Sequence, residues 1–150
     1  MNVKQNYNLN ETSRKNFLQK NLFLINYFKM NQLIKSFGFA FQGIFHLIRN
    51  ERNFKIQLCV FILVLILSCL LGISKIEFII VLVCSMIVLS MEGINTSIER
   101  LCDEKDPNFN PKIKIMKDVA AGAVLISSLF SIVIGLLIFL PYLYKLVASL

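Results

Sequence analysis

Three long apolar runs follow a polar first part of the chain. Residues 56–74 lie between Lys55 and Lys75 and contain one strongly polar residue, Gln57. A helix of that length spans about 28 Å, close to the hydrocarbon thickness of a bilayer. The second run is too short to cross alone, so its helix must continue to about residue 100. The pattern predicts an all-α integral membrane protein with spans at about 56–74, 76–100 and 118–140.

A surface helix is predicted before the first span. Between residues 31 and 50, apolar side chains recur at helical spacing on one face, and Lys35, His46 and Arg49 lie on another. An aromatic-rich apolar face opposite a basic face is typical of a helix lying in the membrane interface. Residues 1–30 are polar and rich in Asn, and we expect a flexible or weakly helical extension. The domain division is therefore an extension, 1–30, and a membrane domain, 31–150.

Charge placement predicts the orientation. The chain is 56% hydrophobic with mean hydropathy +0.66 and carries a formal net charge of +7. Nine of its sixteen Lys and Arg residues lie in residues 1–55 and five in residues 100–117, all on one side of the three spans. The positive-inside rule assigns that side to the cytoplasm. The basic charge is therefore explained by cytoplasmic segments of a cell-membrane protein, and we expect no nucleic-acid partner.

A polar stripe ends the second apolar run. At 100° per residue, Glu99 lies about 20° to one side of Glu92 around the helix axis and Asp103 about 20° to the other. Asn95 lies about 60° from Glu92. Ionisable groups inside a bilayer are costly and are usually functional. Topology brings Glu51, before the first span, and Lys117 and Asp118, at the start of the third, to the same cytoplasmic face.

Carboxylates beside a lysine suit phosphoryl transfer with a divalent cation. Glu92 is the acid deepest in the membrane, where it can reach a lipid hydroxyl as a base. Glu51 and Glu99, nearer water, suit Mg²⁺, which prefers few protein carboxylates, and Lys117 suits phosphate. The sequence holds no G-x-x-x-x-G-K-[ST] phosphate loop, so nucleotide use does not follow from that motif.

The same residue types leave other readings open. The acids and Lys117 also suit a structural ion-pair network that ties three helices together, as in a non-catalytic membrane partner protein. A small oligomeric channel or transporter is another alternative. The centres of the three spans carry no charge, which argues against a path for ions through the membrane.

Two motifs carry a family resemblance. They are Glu92-Gly-Ile-Asn-Thr-Ser-Ile-Glu99 followed by Asp103, and Lys117-Asp-Val-Ala-Ala-Gly-Ala-Val124. Together they resemble the signature of the prokaryotic diacylglycerol kinase family, which includes the undecaprenol kinases. The segments 35–43 and 49–51 also resemble the family's surface helix and its Asn-Glu pair, so the resemblance covers about residues 31–141.

The resemblance implies a homotrimeric membrane lipid kinase whose active sites are shared between neighbouring subunits at the cytoplasmic interface. It implies that ATP phosphorylates a lipid alcohol, diacylglycerol or undecaprenol, with Glu92 accepting the hydroxyl proton. Glu51 and Glu99 correspond to ligands of the ATP-bound metal, Mg²⁺. Lys117 and Asp118 correspond to nucleotide-contacting residues, and Asn95 corresponds to a polar residue that supports the site. The sequence does not identify the acceptor lipid or a role for Asp103.

Overall fold

Four α-helices form the described part of the protein. The structure is a computed structural model that describes residues 3–106 and 110–149, and for most residues before Met30 it describes the backbone alone. The helices are α1 (Val3–Asn50), α2 (Arg52–Leu71), α3 (Lys75–Lys105) and α4 (Pro111–Ala148). The chain divides into two compact units, Met1–Phe45 and His46–Leu150, and each is described by itself.

Helix α1 includes the predicted surface helix and continues beyond it. Its backbone is helical from Val3, so most of the extension predicted at 1–30 is helical as well. Between residues 31 and 45 both the apolar and the polar side chains are largely exposed, Phe37 and Phe41 among them. The placement of this segment in a membrane interface therefore stays a prediction.

Local signals explain the sharp turn between α2 and α3. Gly72 adopts φ +61°, which costs glycine nothing, and its N–H bonds the carbonyl of Cys69 while the N–H of Ile73 bonds that of Ser68. These two bonds form a Schellman motif. Ser74 then caps α3 through a reciprocal pair of hydrogen bonds with Glu77. The chain thus reverses direction within three residues.

Helices α3 and α4 are longer than the spans predicted within them. With 31 and 38 residues, they measure about 46 and 57 Å, well beyond a 30 Å hydrocarbon layer. Most of the polar segment 103–117, which lies between the predicted second and third spans, is helical: α3 ends at Lys105 and α4 starts at Pro111. Its residues 107–109 lie outside the described part. Proline suits the first turn of a helix because its missing N–H has no partner there.

Helix α4 does not end at Pro141, the residue after the predicted third span, but continues to Ala148. One proline removes one backbone hydrogen bond, and a membrane helix tolerates that loss where its neighbours hold it. The next residue, Tyr142, donates its hydroxyl to Glu77 Oε2 at 2.7 Å and so joins the end of α4 to the start of α3.

All three of α2, α3 and α4 are long and apolar enough to cross a membrane. A small core of Val81, Ile138 and Phe139 packs α3 against α4, with Val64 and Leu67 of α2 beside it. Most large apolar side chains of these helices are exposed instead. Such surfaces suit lipid or neighbouring helices rather than water. The protein is therefore a multi-pass membrane protein, as the apolar pattern predicts.

Candidate functional site

Buried polar side chains concentrate on one turn of α3. Four polar or charged residues are buried in the described part of the chain, and three of them are Glu92, Asn95 and Thr96, each 4–5% exposed. Burying a carboxylate or an amide is costly unless hydrogen bonds compensate it. The stripe predicted on the second span thus begins with its most enclosed members, and it becomes more exposed toward Asp103.

Glu92 is held by a residue of the preceding helix. Gln57 of α2 donates from Nε2 to Glu92 Oε2 at 2.9 Å. The Oε1 atom of Glu92 makes no hydrogen bond with any residue that the structure describes. A buried carboxylate with one oxygen anchored and the other unpaired is suited to accept a proton from a hydroxyl that enters the site.

Asn95 and Glu99 form a second pair one turn further along α3. The Asn95 amide donates from Nδ2 to Glu99 Oε1 at 2.9 Å. The Asn95 carbonyl oxygen is buried, and it has no hydrogen-bond partner in the described part of the chain. Asn95 therefore orients the carboxylate of Glu99 through its amide N–H.

Glu51 lies at the N-terminal end of α2, where it is the N-cap residue, and its side chain points to α3. Its Oε1 pairs with Arg100, the residue next to Glu99 along the chain. The pair is partly exposed, with the two side chains 25% and 52% accessible. The pair joins the start of α2 to α3 at the residue that follows Glu99, the other acid predicted to bind metal.

The last stripe residue, Asp103, contacts α4. Its Oδ1 accepts from Lys117 Nζ at 2.8 Å. The Asp118 side chain is exposed, and within the described ranges it makes no hydrogen bond or ion pair. Lys117 therefore stands at the same end of the three helices as the stripe, held there by Asp103.

Gly93 permits α1 to approach α3 beside Glu92. A Cβ built on Gly93 would lie 3.3 Å from Cδ1 of Leu47, tighter than ordinary van der Waals contact. The glycine of the first motif thus makes room for an apolar side chain of the last turn of α1. That contact helps to enclose the turn of α3 on which Glu92 lies.

A divalent cation fits the donor set of Glu51 and Glu99. Each carboxylate has its Oε1 in a hydrogen bond, and the Oε2 atoms make none within residues 3–106 and 110–149. Mg²⁺ takes one or two protein carboxylates and completes its shell with phosphate oxygens and water. No group of three or more His, Cys, Asp or Glu side chains suited to a metal occurs among the described residues. Two carboxylates are a donor number that Mg²⁺ accepts when water or phosphate supplies its other ligands.

Two residues of this arrangement were given no role by sequence reasoning. Gln57 could have been recognised from the sequence, because it is the one strongly polar residue of the first apolar run. Arg100 could not have been recognised, because a basic residue is ordinary at the cytoplasmic end of a membrane helix. Their partners, Glu92 and Glu51, lie 35 and 49 residues away in sequence, so the contacts depend on how the helices pack.

An apolar cavity opens among α2, α3 and α4 next to Gln57. Its volume is about 510 Å³, and Gln57 contributes to its wall together with Val60, Leu89, Ile132 and Phe139 among others. The Oε1 atom of Gln57 is buried and has no partner in the described part of the chain. Gln57 therefore lies between this cavity and Glu92.

Comparisons with known proteins agree with the motifs. Residues 38–139 match the family model described as prokaryotic diacylglycerol kinase. The chain is 40% identical over 113 residues to a protein of Bacillus subtilis named undecaprenol kinase, covering 75% of this chain and 92% of the relative. It is 30% identical over 115 residues to one of Synechocystis named diacylglycerol kinase, covering 76% of this chain and 66% of the relative. The matched region contains every residue of the polar stripe and its partners, and the chain belongs to the prokaryotic diacylglycerol kinase family.

Proposed function

We propose that the protein phosphorylates the hydroxyl of a membrane lipid alcohol, with ATP as the phosphoryl donor. The observation that carries the proposal is the buried Glu92 carboxylate, anchored through one oxygen and unpaired at the other, at the end of an apolar helix. The relatives' names, undecaprenol kinase and diacylglycerol kinase, specify the reaction class.

In the proposed reaction, Glu92 accepts the proton of the lipid hydroxyl as the lipid oxygen bonds the γ-phosphorus of ATP. The bond from that phosphorus to the bridging oxygen breaks, and ADP leaves with the electron pair. A hydroxyl on a lipid stays near the bilayer surface, so its base must lie inside the membrane boundary. Glu92 meets this requirement because it precedes the exposed end of α3 by more than three turns.

Glu51 and Glu99 are the proposed ligands of Mg²⁺. When bound with ATP, the cation neutralises phosphate charge. The contacts that support this role are the bonds from Arg100 to Glu51 and from Asn95 to Glu99, which fix one oxygen of each carboxylate. In this proposal Asn95, an uncharged residue, supports the site by holding the carboxylate of Glu99 in place.

Lys117 and Asp118 are the proposed nucleotide-contacting residues. An ammonium group is a compact donor for phosphate oxygens. Asp103 holds that ammonium group at the stripe. Asp118 is exposed and adjacent in sequence, which suits contact with a nucleotide that comes from water.

The proposed orientation has the N-terminus and the α3–α4 turn in the cytoplasm. Fourteen of the sixteen Lys and Arg residues lie on that side, and the polar stripe opens there. ATP is available at this face of a cell membrane. The segment 31–50 would lie in the same interface as an amphipathic surface helix.

The proposed assembly is a homotrimer with active sites shared between neighbouring subunits, as the family resemblance implies. Two observations support an oligomer. The described apolar surface of α2 to α4 is extensive, and Ala120 to Ala123 at the start of α4 offer small side chains for close helix contact.

The direct test measures transfer of phosphate from Mg-ATP to lipid by purified protein in detergent micelles. Undecaprenol and diacylglycerol are supplied side by side, because the two named relatives differ in their lipid. We expect one or both lipids to be phosphorylated. ATP turnover or ion flux in liposomes without any phosphorylated lipid would contradict the proposal, and flux without ATP turnover would favour a channel or transporter.

A further inference from the structure

We infer that Gln57 is a positioning residue that sets the orientation of the Glu92 carboxylate. The inference rests on the proposed function, since it assigns Gln57 a part in the same reaction. Gln57 lies on α2 and Glu92 on α3, and the 2.9 Å bond between them crosses from one helix to the other. The orientation of the base thus depends on a helix other than its own.

The two carboxylate oxygens of Glu92 differ in their hydrogen bonds, so they can have different roles in the proposed reaction. Oε2 receives the amide N–H of Gln57, and no other donor reaches the carboxylate within the described residues. With Oε2 anchored, Oε1 remains directed and unpaired. A carboxylate without this bond would rotate about its last side-chain bonds, because the torsion next to a carboxylate is broad. The distance from Oε1 to the entering hydroxyl would then vary.

Helix packing alone does not account for an amide at position 57. Its Oε1 atom is buried without a partner in the part of the chain that the structure describes. A buried acceptor left unpaired lowers stability, so an apolar side chain at this point of an apolar helix would serve packing better. The amide is explained by what its N–H does for Glu92.

The apolar surroundings of Gln57 suit a substitution that keeps the bulk of the side chain and removes its N–H donor. Gln57 contributes to the wall of the 510 Å³ apolar cavity. Methionine has nearly the same length and no N–H donor, and it packs readily against an irregular apolar wall. Gln57→Met therefore removes the hydrogen bond while keeping the bulk, and Gln57→His restores a ring N–H donor at a similar reach.

Ser68→Ala is the matched control. Ser68 is on the same helix and is 2% exposed, and its hydroxyl bonds the carbonyl of Val64 in its own helix. The substitution removes a buried polar group and its hydrogen bond, as Gln57→Met does, but at a site remote from Glu92.

The experiment measures kcat and KM for lipid and for ATP in wild type, Gln57→Met, Gln57→His and Ser68→Ala, with thermal unfolding in the same detergent. We expect Gln57→Met to lower kcat by about 10- to 100-fold with both KM values within about twofold of wild type. Gln57→His should recover part of that loss. Ser68→Ala should change kcat by less than about twofold while lowering stability at least as much.

The outcomes separate this inference from the proposed function. If wild type phosphorylates lipid and Glu92→Gln does not, the function and the base stand. A Gln57→Met variant that then matches Ser68→Ala, loses activity through KM alone, or is no worse than Gln57→His overturns the role of Gln57. A wild-type protein that phosphorylates no lipid overturns the proposed function itself, together with this inference.

Discussion

The side chains of the polar stripe differ in their burial and in the residues that they contact. Glu92 is enclosed and held by Gln57, Glu99 is half-buried and held by Asn95, and Asp103 is exposed and holds Lys117. Helical periodicity predicted that the stripe members share one face. It could not predict their partners, because contacts across helices depend on axial register, which no single helix encodes.

Asp103 gains a role from its contact with Lys117, and the role can be tested. Asp103→Asn should raise the KM for ATP by less than about fivefold, because exposed ion pairs are weak. Lys117→Met should raise it by about 10- to 100-fold, the range of hydrogen bonds to charged groups. Steady-state kinetics with varied ATP checks both, and equal effects of the two substitutions would contradict a direct contact between Lys117 and nucleotide.

At the scale of elements, apolar runs located the three crossing helices but not their ends. The runs report where side chains are apolar, whereas a helix continues into water wherever caps and backbone bonds permit. Residues 101–105, which include the charged Asp103, Glu104 and Lys105, therefore belong to α3, and α4 starts at Pro111. These extra turns matter, because they carry Asp103 and Lys117.

The turn between α2 and α3 yields an element-scale prediction. Gly72 has φ +61°, a conformation that costs a residue with a Cβ about 1 kcal/mol or more. Gly72→Ala should lower the free energy of unfolding by about that amount, measured by thermal or denaturant unfolding in detergent. Its kcat should be unchanged, since the turn is at the opposite ends of α2 and α3 from the polar stripe.

Gly135→Ala is the control for the turn. Gly135 lies inside α4, its φ is not positive, and an added Cβ meets no atom within 4 Å. It should therefore be tolerated. Equal destabilisation by both substitutions would show that the backbone conformation at Gly72 is not the cause.

At the scale of the molecule, one chain assembles polar groups from three helices at one end and leaves most of its apolar surface exposed. That distribution suits a membrane protein that works at one face of the bilayer. The described spans carry their ionisable stripe at that end alone, which favours chemistry at the surface over passage through the membrane.

The proposed homotrimer can be tested by its mass. We expect the purified protein to contain three chains of 17.2 kDa, measured by native mass spectrometry or by cross-linking in detergent. Small residues at the start of α4 and the extensive exposed apolar faces would lie between subunits. A particle with the mass of one chain that phosphorylates lipid at the full rate would contradict the trimer.

The proposed reaction depends above all on the buried carboxylate of Glu92, which takes the proton of the lipid hydroxyl. The most direct measurement compares phosphate transfer from Mg-ATP to the accepted lipid by wild type, Glu92→Gln and Glu104→Gln. Glu104 is exposed on the same helix, so its substitution controls for the loss of one charge. We predict that Glu92→Gln lowers kcat by at least about 100-fold while Glu104→Gln retains wild-type activity. A Glu92→Gln variant as active as Glu104→Gln would contradict the account.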